Sequence, residues 1–370
     1  MHLHLIAYDL LIPPTHGAAM DTYYLLQSLA MQGVSVQIHV FTDGQPPSSD
    51  LFRYAEAVYA YPTRTLSRKL PARYPHMVSA RNHPALLERL LQDDWPILFA
   101  GLQTTYFLSH PEFERRVKLV RLHRIEWEYH YQRAQQELRY WPRRHYQTES
   151  RQLQAFEQTL AYADYLLPIS PKDEAYYAEQ HEGVYYLPPF HPFEQVSSRS
   201  GRGQFCLYHG NLGQPENHEA AMFLVEQIFS HLDLPLIIAG AAPQPALISA
   251  INALDHVVLR PNPGEGEMTD LMHHAQVHVL PAFHASGMAL KLVNSLYTGR
   301  FVLVNPPMVH LTGLEFGTHV ARDPQEMQRM IFDLWHQDFT DIDIAQRKAA
   351  LNGAFSNARN GRRIVDLIRG

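Results

Sequence analysis

Short apolar runs recur along this chain, and amphipathic stretches of helical length separate them. That alternation is the pattern of βαβ units, whose strands are buried on both faces and pair in parallel. In the first half the expected strands are Leu3–Tyr8, Val34–Phe41, Ala55–Tyr61, Ile97–Ala100, Lys118–Leu122 and Tyr165–Ile169. Helices are expected over Ala18–Met31, Pro84–Gln92, Glu126–Tyr140, His145–Ala163 and Pro171–Glu179. A second set of strands follows at Phe205–Tyr208, Leu236–Ala239, Val257–Leu259, Val277–Leu280 and Phe301–Val304. At 370 residues the chain fits two cores rather than one. Prolines 188, 189 and 192 and the run Ser197–Gly203 read as a join between them. The expected fold is α/β, with two Rossmann-like doubly wound domains facing each other across a cleft. Expected boundaries are 1–190, a linker at 191–204, a second domain at 205–350 and a C-terminal helix within 351–370. That helix, Asn357–Ile368, has no assigned lobe from sequence.

Bulk properties remove several function classes. A formal charge of −6 argues against a nucleic-acid-binding face. The single cysteine, Cys206, lies in the apolar run Phe205–Tyr208 and reads as a buried small hydrophobe. The 23 histidines are scattered without the i, i+4 pairing of a metal helix, so no metal site is expected. The start Met1-His2-Leu3-His4 does not read as a signal peptide, and no run reaches bilayer-spanning length. Residence in the cytoplasm is the expectation.

Four strand-to-loop junctions carry the candidate chemistry. Pro13-Pro14-Thr15-His16-Gly17 leads into a helix whose N-terminus favours anionic groups, and Gly17 lets backbone approach a ligand. His123 ends an apolar strand with Glu126 one turn on, a pair suited to holding sugar hydroxyls or orienting a reacting group. Tyr208-His209-Gly210-Asn211 repeats the strand-then-glycine pattern, with Gly240 a scaffold turn. Last comes Leu280 through Leu296, where a Ser286-Gly287 turn opens a helix carrying Lys291 and, three residues on, Asn294. Helix amides, the helix dipole and a lysine together suit a diphosphate.

In order and spacing these junctions resemble the retaining GT-B glycosyltransferases, the group that includes sucrose synthases and bacterial mannosyltransferases. The likeness also takes in Gly33-Val34-Ser35-Val36, Tyr165 through Asp173 and Gly299 through Val302. It implies a nucleotide-diphosphate sugar held mainly by the C-terminal lobe and an acceptor held mainly by the N-terminal lobe, with no other cofactor. By position, Gly17 falls near the donor phosphates, His123 at the transferred sugar, Ser286 and Gly287 at sugar or phosphate, and Lys291 at the diphosphate. Gly210 and Asn211 line the donor side, whereas His16 and Glu126 fall to substrate. Asn294 stands where the family has a glutamate for the nucleotide ribose.

The chain departs from that pattern. The family's two glutamates correspond to Ser286 and Asn294, and its Arg/Lys pair after the first C-terminal strand is missing. Lys291 is the expected substitute, with Arg260 and Arg300 as further cations. The resemblance implies metal-independent sugar transfer with retention to a hydroxyl of a sugar, glycan or lipid-linked acceptor. A catalytically weakened binding partner of a transferase is the main alternative. An epimerase or hydrolase using Glu126 and Asp173 is a third. Within 64–81, Arg64, Arg68, Lys69, Arg73 and Arg81 interleave with apolar residues and lack acids, a pattern suited to peripheral membrane contact.

Overall fold

The computed structural model describes residues 1–10, 14, 17–42, 44, 46–64, 74–283, 290–310 and 312–370. The chain forms two units, Met1–Pro192 with Phe355–Gly370, and Phe193–Ala354. The first contains β1 (His2–Ala7), α1 (Gly17–Met31), β2 (Ser35–Thr42), β3 (Ala57–Pro62), α2 (His76–Ser79), α3 (Pro84–Leu90) and β4 (Ile97–Ala100). It continues with β5 (Lys118–Leu122), α4 (Glu126–Gln136), α5 (Tyr140–Phe156), β6 (Tyr165–Pro168) and α6 (Pro171–Ala178). The second unit holds β7 (Phe205–His209), α7 (Pro215–Phe223), β8 (Leu236–Gly240), α8 (Pro245–Ile251), β9 (Val257–Pro261), α9 (Glu265–His274) and β10 (Ala275–Leu280). After these come α10 (Leu290–Thr298), β11 (Phe301–Val304), α11 (Pro306–Val309), β12 (His319–Val320), α12 (Pro324–Trp335) and α13 (Asp341–Ala354). The last element, α14 (Asn357–Arg369), belongs to the first unit.

Each sheet is six-stranded, with orders β3-β2-β1-β4-β5-β6 and β12-β11-β10-β7-β8-β9. Every strand pairing is parallel, and both orders are the Rossmann order counted from each unit's first strand. The order reverses between β1 and β4 and between β7 and β10, so ligands are expected outside the carboxyl ends of those strands.

Alternation along the strands divides the first unit's core into two layers. Leu3, Leu5, Val36 and Ile38 pack with Leu25 and Leu29 of α1 and Ile364 of α14. Ile6, Phe41, Phe99 and Val120 point the other way, toward Leu86 and Leu90 of α3 and Leu153 of α5. His4 and His39 sit on this second face, fully buried yet satisfied. His4 Nε2 lies 3.0 Å from Asp93 Oδ1, His4 Nδ1 2.9 Å from His39 Nε2, and His39 Nδ1 2.9 Å from the Tyr61 hydroxyl. A single direction of donation therefore satisfies the whole chain with both rings neutral. Several of the histidines are internal hydrogen-bond links, and burial lowers the pKa of both rings.

The expected helices Glu126–Tyr140 and His145–Ala163 are divided differently in the structure. The break falls at 137–139 and α5 starts at Tyr140. Pro142 does not delay that start, because in a first turn its missing N–H has no intrahelical acceptor to lose. The Ser/Gly/Arg stretch is fastened to the second unit rather than left as a spacer. Gly201 exchanges backbone hydrogen bonds with Phe339 at 2.8 and 3.1 Å, and Ser197 N donates to Tyr297 O at 2.7 Å. Helix α14 packs on α1, with Ser28 Oγ donating to Asn357 O at 2.7 Å. Among the described residues no helix is long and apolar enough to cross a membrane.

Candidate functional site

At the carboxyl edge of the first sheet, strand parity decides which side chains meet. Leu119 lies on the α1 face, so Arg121 and His123 fall there too. Asp21, on the buried face of α1, receives them both. Arg121 grips its carboxylate from Nε and Nη2 at 2.9 and 2.8 Å and spends its other donors on the carbonyls of Leu167, Leu187 and Pro188. His123 Nε2 is 2.9 Å from Asp21 Oδ2, and Phe190 N donates to Oδ1 at 2.8 Å. Burial alone would raise the Asp21 pKa, but the Arg121 guanidinium and the bonds from Arg121 and His123 hold it well below the usual carboxylate range.

A carboxylate only accepts, so His123 Nε2 carries hydrogen. Its buried Nδ1 has no partner among the described residues. In the neutral ring that atom is an acceptor suited to a hydroxyl donor. Gln103 Oε1 is a second buried acceptor in the same condition. Gln103 follows Gly101, whose φ of 109° an L side chain rarely adopts and whose Cβ position is already taken by the Gln103 amide. The Gln103 amide also acts on the Glu126 carboxyl, pulling its pKa down. Desolvation raises the Glu126 pKa against the pull of Arg124, His123 and Arg81. Arg81 lies 5.3 Å from the Tyr8 ring centroid at the end of β1. His123 and Glu126 thus belong to one buried polar group at the switch point. Gly17 is the first, exposed residue of α1, one turn before Asp21. His16 lies outside the described residues. Asp173 lies in the first turn of α6, within the field of the same Arg124 that acts on Glu126, and burial pushes its pKa up to about 6.

In the second unit the β7–α7 turn is built from backbone and asparagine. Gly210 N donates to Ala239 O at 3.1 Å, and any Cβ on Gly240 would run into the Gly210 carbonyl, so Gly240 is scaffold. Asn211 Oδ1 accepts from Gly213 N at 3.1 Å, and its carbonyl accepts from Asn217 Nδ2 at 3.0 Å. Lys291 reaches this turn from α10, donating to Asn217 Oδ1 at 2.7 Å and to the Tyr208 hydroxyl at 3.2 Å. Both partners are neutral. Burial lowers the lysine's pKa to about 8, opposed only by the field of Glu216. Asn294 Oδ1 is buried with no partner among the described residues. Gly210, Asn211 and Lys291 therefore meet at the second sheet's carboxyl edge, with Asn294 three residues further along α10. Ser286 and Gly287 lie outside the described residues.

Behind this edge His209 Nε2 lies 3.0 Å from Ser295 Oγ, which lies 2.9 Å from His278 Nδ1, and His278 Nε2 is 3.0 Å from Met272 O. Arg300, expected as a further cation, is corrected. It donates to the carbonyls of Gly201, His273 and Ala275 at 3.2, 2.6 and 3.1 Å, which leaves its charge serving the fold. Arg260 is exposed on β9, at a shallow depression shared with Glu267 and Asp270. Cys206 is fully buried, which pushes its thiol pKa up. Among the described residues no three His, Cys, Asp or Glu side chains are grouped to hold a metal ion.

Asp21, Gln103, Tyr208 and Asn217 were not foreseen from sequence as site residues. One signal pointed to Asp21, a lone acid on the apolar face of an amphipathic helix. For Asn217, the position two residues after Pro215 at a helix start turns a side chain back over the preceding loop.

No protein-family model matches the sequence, and no curated protein matches it. Solved structures do. WaaG, a glycosyltransferase involved in lipopolysaccharide biosynthesis, aligns over 100% of both chains with a TM-score of 0.65 at 13% identity. HepE from Anabaena, solved with UDP and glucose, aligns over 99% of both chains with a TM-score of 0.68 at 11% identity. TarM aligns over 100% of this chain and 99% of its own with a TM-score of 0.70 at 7% identity. Full-length superposition on these structures, with two parallel Rossmann-ordered sheets, defines the GT-B glycosyltransferase fold. The chain is a sequence-divergent carrier of that fold.

Proposed function

We propose that this chain is a glycosyltransferase. It moves a sugar from a nucleoside diphosphate sugar to a hydroxyl of a sugar, glycan or lipid-linked acceptor, with retention and without a metal ion. The observation that carries the reading is Lys291, a partly buried cation at a Rossmann switch point whose hydrogen-bond partners among the described residues are neutral oxygens, with Glu216 acting on it through its field. An ammonium drawn partly out of water and bonded to neutral oxygens is under-compensated, and a diphosphate would add the charge that favours it. In transfer the bond from the anomeric carbon to the diphosphate oxygen breaks as the acceptor oxygen bonds to that carbon, and the hydroxyl's proton passes to the departing diphosphate. Negative charge grows on the departing diphosphate, where a preorganised cation and backbone amides are most effective. UDP complexes of HepE, with glucose or with UDP-glucose, support a nucleotide-sugar donor.

His123 and Gln103 take the sugar or acceptor hydroxyls, since both offer acceptor atoms rather than charge. Asp21 is a positioning residue that fixes the His123 tautomer. Glu126 orients the same ligand, with Gly17 and His16 at the entrance to α1. Gly210, Asn211 and Asn294 hold the nucleotide, joined by Ser286 and Gly287. Of stretch 64–81, offered from sequence for peripheral membrane contact, 65–73 lie outside the described residues and Arg81 faces Tyr8 and Glu126.

The test is a thermal-shift panel of nucleoside diphosphates and their sugars, run with and without a chelator. A ligand at a hundredfold excess over Kd adds about 2.7 kcal/mol of apparent stability. At least one nucleoside diphosphate should raise the midpoint in chelator, and Lys291→Met should abolish the rise. A panel that moves nothing overturns the reading. One observation favours a binding partner without turnover, namely that an amide, Asn294, stands where the resemblance expects a carboxylate. Donor binding with no sugar transfer or hydrolysis would select it.

A further inference from the structure

Helices α4 and α5 form an antiparallel hairpin whose tip the candidate site does not use. Ser150 Oγ donates to Trp127 O at 2.8 Å, and Tyr146 packs against His130 and Arg133. The connection 137–139 therefore stands at the free end, beyond the last packed turn. There Leu138 is 95% exposed, Trp141 75% and Tyr140 64%. Scattered apolar residues on a surface need no explanation, but three large ones within four positions form a patch that water solvates poorly.

The charge beside that patch is positive. Arg139, Arg143 and Arg144 are exposed, and Glu137 is already engaged by Arg139 at 2.9 and 3.0 Å. The nearby Glu149 is buried, accepting from the backbone of His76 and Met77 at 2.9 and 2.8 Å. A convex tip that offers tryptophan, tyrosine and leucine within a ring of arginines matches the headgroup zone of a bilayer. Aromatic rings settle at that depth, and guanidinium groups pair with lipid phosphates.

We propose that the α4–α5 tip docks on a bilayer rich in anionic lipid, with Leu138 and Trp141 entering the headgroup boundary and Arg143 and Arg144 pairing with phosphate. The proposal does not rest on the transferase reading.

The experiment is co-sedimentation of the full chain with phosphatidylglycerol–phosphatidylethanolamine vesicles and with phosphatidylcholine vesicles. Binding should be confined to the anionic vesicles and should weaken as salt is raised, because exposed charges are screened. Trp141→Ala should lower the partition about tenfold, and Arg143→Glu with Arg144→Glu should abolish it. All of these side chains are exposed, so thermal midpoint and nucleoside diphosphate shift should match the parent in every variant. Absence of binding overturns the proposal, as does equal binding to phosphatidylcholine. Anionic binding that the tip variants leave intact also overturns it, by placing the contact elsewhere.

Discussion

Each unit sets a cation near the carboxyl edge of its sheet, Arg121 fully buried and Lys291 partly so, and the two are compensated differently. Arg121 has its carboxylate, Asp21, and places its remaining donors on backbone carbonyls. Lys291 has a phenol and an amide oxygen. The first arrangement is complete without a ligand and fixes geometry, leaving His123 Nδ1 as the atom that can still bond. The second bonds its positive charge to neutral oxygens, with Glu216 opposing the effect of burial through its field. Strand order alone does not distinguish these edges, since both sheets share it. The difference lies in whether a carboxylate is bonded to the cation, as Asp21 is to Arg121, or acts on it through its field, as Glu216 does on Lys291.

The largest expected effect tests the closed side of that contrast. Asp21→Asn leaves a buried guanidinium without its anion and should destabilise the chain by about 3–5 kcal/mol in urea unfolding. The folded carboxyl pKa is depressed, so its contribution is present above the unfolded value and lost as pH falls below about 4. Parent and variant should therefore converge in acid. A loss under about 1 kcal/mol at neutral pH would break the comparison. Lys291→Met should do the reverse, leaving stability within about 1 kcal/mol while weakening nucleoside diphosphate binding about a hundredfold by calorimetry. If that variant unfolds as readily as Asp21→Asn, the lysine is a structural cation like Arg121.

A pH series sharpens the second half. The lysine's pKa falls from 10.5 to about 8 on folding, so between those values the unfolded chain binds more protons and stability rises with pH. Diphosphate affinity should move the other way, falling about tenfold from pH 7 to pH 9 as the ammonium deprotonates. Both trends should be flat in Lys291→Met. Smallest is Ser295→Ala, which interrupts the His209–Ser295–His278 link and should cost about 1 kcal/mol in unfolding experiments.

Strands were legible because parallel sheets buried on both faces write themselves as unbroken apolar runs. Leu119, Val120 and Leu122 are at most 1% exposed, and β11 spans the expected Phe301–Val304. Helix limits in the hairpin were less legible, since Glu137 and Leu138 carry no strong stop signal and Pro142 suggests a later start than the chain adopts. His123 and Lys291 could be singled out because each is a polar residue set against apolar neighbours at the end of a strand or the start of a helix. Asp21 is bonded to a histidine 102 positions away. Asn217 reaches a lysine 74 positions away. Neither partner can be read from local pattern, because only the folded register of α1 on β5, or of α10 on β7, brings them within bonding distance.

The return of α14 to the first unit has a bearing on how the molecule is made. His191 and Asn357 exchange bonds at 3.3 and 2.6 Å, and His191 Nε2 lies 2.7 Å from Phe355 O. The whole of Phe193–Ala354 is thus an insertion between two stretches stapled side by side. A ribosome delivers Ile364 and Val365, which cover the α1 layer, only after the entire inserted unit has emerged. The first unit, although synthesised first, is the last to be sealed, and until then Leu25 and Leu29 wait with part of their apolar cover missing.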